Sequence, residues 1–320
     1  MLNSQKTWHI LGAGAIGCLW AVRLHAAGVP VRLILSPRRA ETHSSDTLSI
    51  SLIRNAGGPN EKARQFELPV ASKEEAIHQL LLATKANDVL GATTGLGNSL
   101  QAEATIVTLG NGMGYHQQIA DRYKQSAVLA VTTTDGVYRK SASELVLAGT
   151  GYNKIAAVNI PPDSPRNGLD SVASSLSVRG QRLKIRRDCQ RMLLDKLLIN
   201  ACINGLTAIH QCPNGHLLSQ KHIKPELYDL VKECQQIARD AGQVAVAKAL
   251  PAKVFQVVQA TATNYSSTYT DIAQGRISEI DYINGYLLEL ATQHSVKAPN
   301  NLMVVERVKA LEQKFQSKVL

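Results

Sequence analysis

The sequence predicts an α/β half followed by an all-α half. Three observations carry that reading. Up to about residue 186, short apolar runs typical of buried strands alternate with helical stretches. From Asp188 onward, apolar residues recur only at helical spacing. The first strand-like run leads straight into Gly12-Ala13-Gly14-Ala15-Ile16-Gly17 and an apolar helix, the context of a dinucleotide-binding turn. The fold class is therefore an α/β Rossmann N-terminal domain over residues 1–186 with an all-α C-terminal domain over residues 187–320.

With 320 residues the chain is long for a single core, in keeping with two domains. Hydrophobic content of 44% and charged content of 19% are those of a soluble globular protein. Aromatics at 4% are too few for base-stacking platforms, and the basic residues form no long run, so nucleic acid is not the expected partner. The net charge of +10 instead favours small phosphates and carboxylates. The densest cluster, Arg182, Lys184, Arg186 and Arg187, reads as a solvated connection. Cysteines 18, 189, 202, 212 and 234 show no CxxC pair and no metal-finger spacing, so no metal is expected and a reducing compartment is. The N-terminus lacks a charged-then-apolar signal, and no uninterrupted apolar stretch approaches membrane-spanning length. The expectation is a cytoplasmic protein with no membrane partner.

In chain order, residues 8–11 form the first strand, 15–27 a helix closed by Gly28, and 31–35 the second strand. Gly12 permits the tight turn, Gly14 admits a pyrophosphate to the backbone, and Gly17 lets helix and strand pack closely. The helix N-terminus adds oriented N–H groups for the phosphates. An acid at the end of the second strand would bind the ribose 2′-hydroxyl of NAD. Ser36-Pro-Arg38-Arg39 offers two guanidinium groups instead, which predicts NADP(H).

Residues 47–53 and 66–70 read as strands around a turn at 55–59. Residues 80–84 form a buried strand with Lys85 at its carboxyl end, where α/β sheets bind ligands. Asn87 is the expected N-cap of a helix weakened by Gly91, Gly95 and Gly97. Strand 105–109 ends in Gly110-Asn111-Gly-Met-Gly114, which brings backbone and one amide close to a ligand. Residues 128–134 give another strand, 145–148 and 154–158 a mixed edge, and 167–178 a helix. Residues 182–187 connect the domains. Helices then span roughly 188–210, 225–249, 252–274, 279–294 and 300–316, with Pro251 and Pro299 at helix starts. Cys212-Pro-Asn214-Gly is a turn, and Asn264-Tyr-Ser266-Ser267 falls within an amphipathic helical segment. Glu279 and Asp281 place acids in a first helical turn.

Lys196, Asn200 and Asn204 repeat at every fourth position, so one face of an otherwise apolar helix carries a cation and two amides. Such groups need partners, supplied either by neighbouring loops or by an anionic, oxygen-rich ligand.

Together with the glycine turn, Ala83-Thr-Lys85-Ala, Asn111-Gly-Met-Gly, Lys196-Leu-x2-Asn200-x3-Asn204, Cys212-Pro-Asn214-Gly, Ser266-Ser267 and Glu279-Ile-Asp281-Tyr-Ile-Asn284-Gly, this row resembles the 2-dehydropantoate 2-reductase (ketopantoate reductase) family. The motifs occur in the family's order and cover nearly the whole chain. The resemblance implies a helical domain of the 6-phosphogluconate dehydrogenase-like type and an active site in the cleft between domains. It implies NADPH-dependent reduction of ketopantoate to pantoate, on the route to coenzyme A. Carried over by position, Lys196 is the proton donor, and Asn200, Asn204, Asn214 and Ser267 contact substrate. Asn111 touches cofactor and substrate, Glu279 orients the site and cofactor, and Lys85 lies near the nicotinamide. Val137 is placed with the cofactor contacts and Asn264 with the substrate contacts. The small-molecule substrate would be handled by a monomer or homodimer.

Three positions depart from the family pattern. Gly110 replaces a usual glutamine, Gly205 a frequent proline, and Ser36 an arginine that often meets the 2′-phosphate, shifting that task to Arg38 or Arg39. The alternatives are a related reductase of another 2-oxo acid and a non-catalytic NADP-binding regulator, which would have no need of a proton donor at position 196.

Overall fold

The computed structural model describes residues 7–58, 60–162 and 168–316, and the chain divides into two compact units. One holds the residues up to Gly110 together with Tyr115–Met192; the other holds Asn111–Gly114 and the chain from Leu193.

The first unit opens with β1 (Trp8–Leu11), α1 (Ala15–Ala26), β2 (Val31–Ile34) and α2 (Pro37–Thr42). It continues through β3 (Thr47–Arg54), β4 (Lys62–Pro69), β5 (Ile77–Leu82), α3 (Val89–Thr94), β6 (Leu100–Thr108), α4 (Tyr115–Arg122) and β7 (Ala127–Thr133). β8 (Gly136–Arg139), β9 (Glu144–Gly149), β10 (Asn153–Asn159), α5 (Leu169–Leu176) and β11 (Leu183–Ile185) complete it. A 7-stranded sheet runs β11-β10-β7-β6-β5-β1-β2, parallel except where β10 meets β7. The stretches of its central strands that are buried on both faces are mostly apolar, as at Ile106, Val107, Leu129 and Ala130. The second sheet, β4-β3-β9-β8, has 4 strands.

Several details differ from the sequence expectation. The strand expected at 145–148 joins β3 and β8 in the small sheet and not the mixed edge, which β10 and β11 supply. The connection 182–187 contains β11, which extends β10 in parallel register; its basic side chains disguise a short edge strand. Asn87 does not cap α3. It lies in a 3-10 turn, Ala86–Asp88, and Asp88 occupies the cap position. α2 and α4 are helices for which the residue pattern carries no expectation. Asn167 and Pro59 lie outside the described residues.

Helices make up the second unit: α6 (Cys189–Ile209) from Leu193 onward, α7 (His216–Ser219), α8 (Lys224–Asp240), α9 (Val244–Ala260) and α10 (Ser267–Ala273). A π-helical turn, Asp281–Gly285, leads into α11 (Tyr286–Gln293), and α12 (Pro299–Gln316) follows. α6 is capped by Asp188, whose Oδ1 accepts the Arg191 N–H at 2.9 Å. By length and composition α6 passes for a membrane span, but 72% of its most apolar window is buried inside the fold. It is a core helix.

Pro251 does not start a helix; it sits inside α9. The Ala247 carbonyl that loses its helical N–H there is satisfied by Gln235 Nε2 of α8 at 2.9 Å. The break falls earlier, at Gly242, which adopts φ 76 and closes α8. The segment 264–267 is not helical throughout. Ser266 caps α10 by accepting the Tyr269 N–H at 3.0 Å, and the chain before it is irregular.

Gly205 has a packing reason. A Cβ there would collide with Cγ1 of Val304 on α12. Val304 is stiff at χ1 in a helix, so the collision cannot be relieved by a rotamer change alone. Gly205→Ala should cost about 1–3 kcal/mol in urea unfolding. A second change, Val304→Ala, should recover part of that loss; no recovery would contradict the packing account.

Candidate active site

In the first unit, β1 ends at the glycine turn. Gly12 adopts φ 108, and a Cβ there would meet the Ala83 and Thr84 backbone at 2.7 Å. A Cβ on Gly17 would strike the Gly12 carbonyl. Gly14 differs: it is exposed, and nothing lies within 4 Å of where its Cβ would be. The turn therefore closes on β5 on one side and is open at Gly14 on the other. That open side, at the N-terminus of α1, suits a pyrophosphate. Ala13, Ala15 and Ile16 are half-buried around it.

Ser36 precedes α2, on which Arg38 is exposed and Arg39 half-buried. Arg39 Nη2 lies 3.5 Å from the Ala142 carbonyl. Lys85 is half-buried beyond the carboxyl end of β5, and Val137 is half-buried on β8 against the first unit's core. Gly110 leaves little room for a larger residue: a Cβ would come within 2.8 Å of the Tyr115 hydroxyl.

In the second unit, Lys196, Asn200 and Asn204 occupy successive turns of α6, about 6 Å apart along the axis. Lys196 Nζ donates to Asn111 Oδ1 at 2.7 Å, and Asn111 Nδ2 donates to Glu279 Oε2 at 3.0 Å. One amide thus stands between an ammonium and a carboxylate. Its orientation is forced, because the flipped amide would set donor against donor and acceptor against acceptor. Burial lowers the Lys196 pKa to about 8, and the charge of Glu279 opposes that fall.

The Asn111 loop is held tightly. Met113 N–H donates to the Tyr282 carbonyl at 2.9 Å, and a Cβ on Gly112 would come within 2.6 Å of Tyr282. Tyr282 belongs to the π-helical turn, so the irregular turn carries both the dock for this loop and, just before it, Glu279.

Asn204 Nδ2 faces Ser267 Oγ at 3.4 Å, a long contact. Behind them, Thr207 Oγ1 lies 2.8 Å from Ser266 Oγ and 2.9 Å from the Asn204 carbonyl, tying α6 to the cap of α10. Asn214 Nδ2 donates to Thr261 Oγ1 at 2.8 Å, and its backbone N–H to the Asn264 carbonyl at 2.9 Å. Asn214 is 7% exposed, and its Oδ1 is buried with no hydrogen-bond partner among the described residues. Asn200 is half-buried, and Ser267 and Asn264 are exposed.

Of the residues singled out in the sequence, the second unit joins Lys196, Asn111 and Glu279 in one bonded row, Asn204 with Ser267, and Asn214 with Asn264. Sequence reasoning missed two features. One is Arg139, which donates to the Ala13 carbonyl at 2.6 Å from 126 positions away. The other is a buried amide network that joins the π-helical turn to α6, α12 and α8. Asn284 Nδ2 donates to the Ala201 carbonyl at 3.1 Å and to Asn301 Oδ1 at 2.9 Å. Asn301 and Asn300 in turn donate backbone and side-chain N–H groups to Glu233. The only signal for it was Asn284 in an apolar helical pattern.

Two family profiles match the sequence. One, described as ketopantoate reductase PanE/ApbA, covers residues 8–159; the other, ketopantoate reductase PanE/ApbA C terminal, covers residues 188–312. A 2-dehydropantoate 2-reductase from Vibrio cholerae is 31% identical, with 96% of this chain and 98% of that protein aligned. Among solved structures, a PanE/ApbA family ketopantoate reductase from Ralstonia eutropha JMP134 superposes with a TM-score of 0.79 at 24% identity, covering 97% of this chain and 100% of that one. D-mandelate dehydrogenase with NADH and anilino(oxo)acetate gives 0.82 at 22% identity, covering 97% and 99%. These two likenesses are of fold.

Proposed function

The chain belongs to the ketopantoate reductase family, and we propose that it reduces 2-dehydropantoate to pantoate with NADPH in pantothenate and coenzyme A biosynthesis. The observation that carries this reading is the bonded row Lys196–Asn111–Glu279. A proton donor held by an oriented amide is what a carbonyl reductase needs and a nucleotide sensor does not.

The open glycine turn fits a dinucleotide, with Gly12, Ala13, Gly14, Ala15, Ile16 and Gly17 at the pyrophosphate and Arg38 and Arg39 toward the 2′-phosphate. Lys85, Asn111, Val137 and Glu279 complete the set of residues that would hold it. When bound, the reduced nicotinamide supplies hydride to the ketone carbon. Lys196, as an ammonium, stabilises the oxygen on which negative charge develops and gives it a proton. A pKa of about 8 keeps most of the population charged at neutral pH, while making it a stronger acid than a free lysine. Asn111 holds the ammonium in place, and Glu279 holds Asn111. Asn200, Asn204 and Ser267 are neutral groups that orient the substrate without burying further charge. The unpartnered Oδ1 of Asn214 can accept a substrate hydroxyl. Five free thiols, four of them buried, are in keeping with action in the cytoplasm.

Glu279→Gln removes the charge that supports the Lys196 ammonium, so the Lys196 pKa should fall further below about 8. Reduction needs the protonated lysine: the rate is full below that pKa and lost as pH rises through it. The variant's kcat/KM should therefore begin to fall at lower pH than the native protein's. An unmoved alkaline limb in the pH–rate profile would separate Glu279 from Lys196.

The direct test follows NADPH absorbance with ketopantoate and with a panel of other 2-oxo acids. Ketopantoate should give the highest kcat/KM. A second reading, reduction of a bulkier 2-oxo acid, is favoured by the Tyr265–Tyr269 ring pair, stacked at 4.4 Å on either side of Ser266 and Ser267. Faster turnover of an aromatic 2-oxo acid would select it.

A further inference from the structure

Arg139 closes β8 and reaches the glycine turn. Its Nη2 donates to the Ala13 carbonyl at 2.6 Å and to Cys18 Sγ at 3.0 Å, and its Nη1 to the Ala142 carbonyl at 2.6 Å. Arg39 Nη2 approaches the same Ala142 carbonyl at 3.5 Å. Two permanent cations therefore converge on one neutral oxygen. The Arg39 pKa is lowered first by burial and then by the charge of Arg139. Among the described residues, neither guanidinium has a carboxylate within ion-pair distance.

An arrangement of this kind is repulsive until an oxyanion enters it, when the same two groups become a fork-shaped receptor. A guanidinium carries five N–H donors. The protein bonds of Arg139 leave its Nε–H and an Nη1–H for a ligand. The position of the corner indicates which oxyanion. Ala13 lies in the turn for the pyrophosphate, and Ser36 to Arg39 follow the carboxyl end of β2, where the adenine ribose of a bound dinucleotide is held. A 2′-hydroxyl would leave both cations unanswered; a 2′-phosphate would neutralise them.

We propose that Arg139, acting with Arg39, is a specificity-determining residue for the 2′-phosphate of NADP(H), supplied by the small sheet and not by the end of β2. The proposal rests on the NADP(H) reading above.

The test is calorimetric binding to the full-length protein of four ligands: NADPH, NADH, adenosine 2′,5′-bisphosphate and adenosine 5′-diphosphate. The native chain should prefer the partner that carries the 2′-phosphate in each pair. Arg139→Gln should weaken NADPH and the bisphosphate about tenfold or more, and NADH and the diphosphate much less. Arg139→Lys keeps a cation and covers the case in which the glutamine variant does not fold; it should lose part of the preference, because a point charge cannot reproduce the fork. Equal weakening of all four ligands would mean that Arg139 only shapes the glycine turn through Ala13, and would overturn the proposal. So would an unchanged NADPH-to-NADH ratio in both variants, when Arg39→Gln or Arg38→Gln abolishes it; the cofactor reading would survive that result. A native chain with no preference for NADPH would end the cofactor reading itself.

Discussion

Lys196→Ala should turn ketopantoate over about 10²–10⁴-fold more slowly than the native chain, with NADPH affinity intact. The loss falls on kcat, because the proton and the charge stabilisation are needed only as the ketone oxygen becomes negative. The NADPH contacts proposed for the first unit are untouched by the change. Near-native turnover would remove Lys196 from the donor role. A second readout comes from stability. Burial holds the folded pKa near 8, below the ordinary lysine value of 10.5, so the folded protein favours the neutral amine. Between those two values the unfolded chain binds more protons than the folded one, and stability rises with pH across that window. The alanine variant should lack that rise. The group that performs the chemistry therefore works against the fold at neutral pH, as is common where function needs a buried cation.

Asp135→Ala should lower the unfolding free energy by about 3–5 kcal/mol. Arg23 and Asp135 are the reason. Their side chains are 4% and 0% exposed, with Nη1–Oδ2 at 2.6 Å and Nη2–Oδ1 at 3.2 Å. The carboxylate also accepts the Gly151 N–H at 2.9 Å and the Thr133 hydroxyl at 3.1 Å. Burial alone would raise the Asp135 pKa, but the Arg23 hydrogen bonds and charge, with Gly151 and Thr133, outweigh it and leave it lowered. The pair's stabilisation is therefore present above the ordinary aspartate range and is lost as pH falls through the depressed value. Alanine strands a guanidinium on α1 with no counter-charge. Urea unfolding at neutral pH measures the loss; a cost under about 1 kcal/mol would show that water already screens the pair.

Long stretches of this architecture could be read from the residues because the signals are local. The turn from Gly12 to Gly17 announces itself by glycine spacing between a strand and a helix, and the α6 row by a four-residue repeat in an apolar background. Where the deciding partner is distant, the sequence is silent. Pro251 reads as a helix start until Gln235 is seen to satisfy the freed Ala247 carbonyl. Arg139 reads as an ordinary strand-end charge because its contact is to Ala13. The strand at β9 gives no hint of which sheet it will join, since pairing to β3 across some ninety positions is a tertiary choice. Among the site residues, the types and spacing were legible in Lys196 and Asn204. The service of Asn111 as the amide linking ammonium to carboxylate was not, since it depends on how its loop docks on the Tyr282 backbone.

Asn111–Gly114 folds with the helices although both of its sequence neighbours belong to the sheet-built unit. Severing the polypeptide between Met192 and Leu193 would consequently yield a helical fragment that retains the ammonium and the carboxylate but lacks the amide joining them. Split halves expressed apart should each be inert, and turnover should return only on mixing, to the extent that one fragment lends four residues to the other.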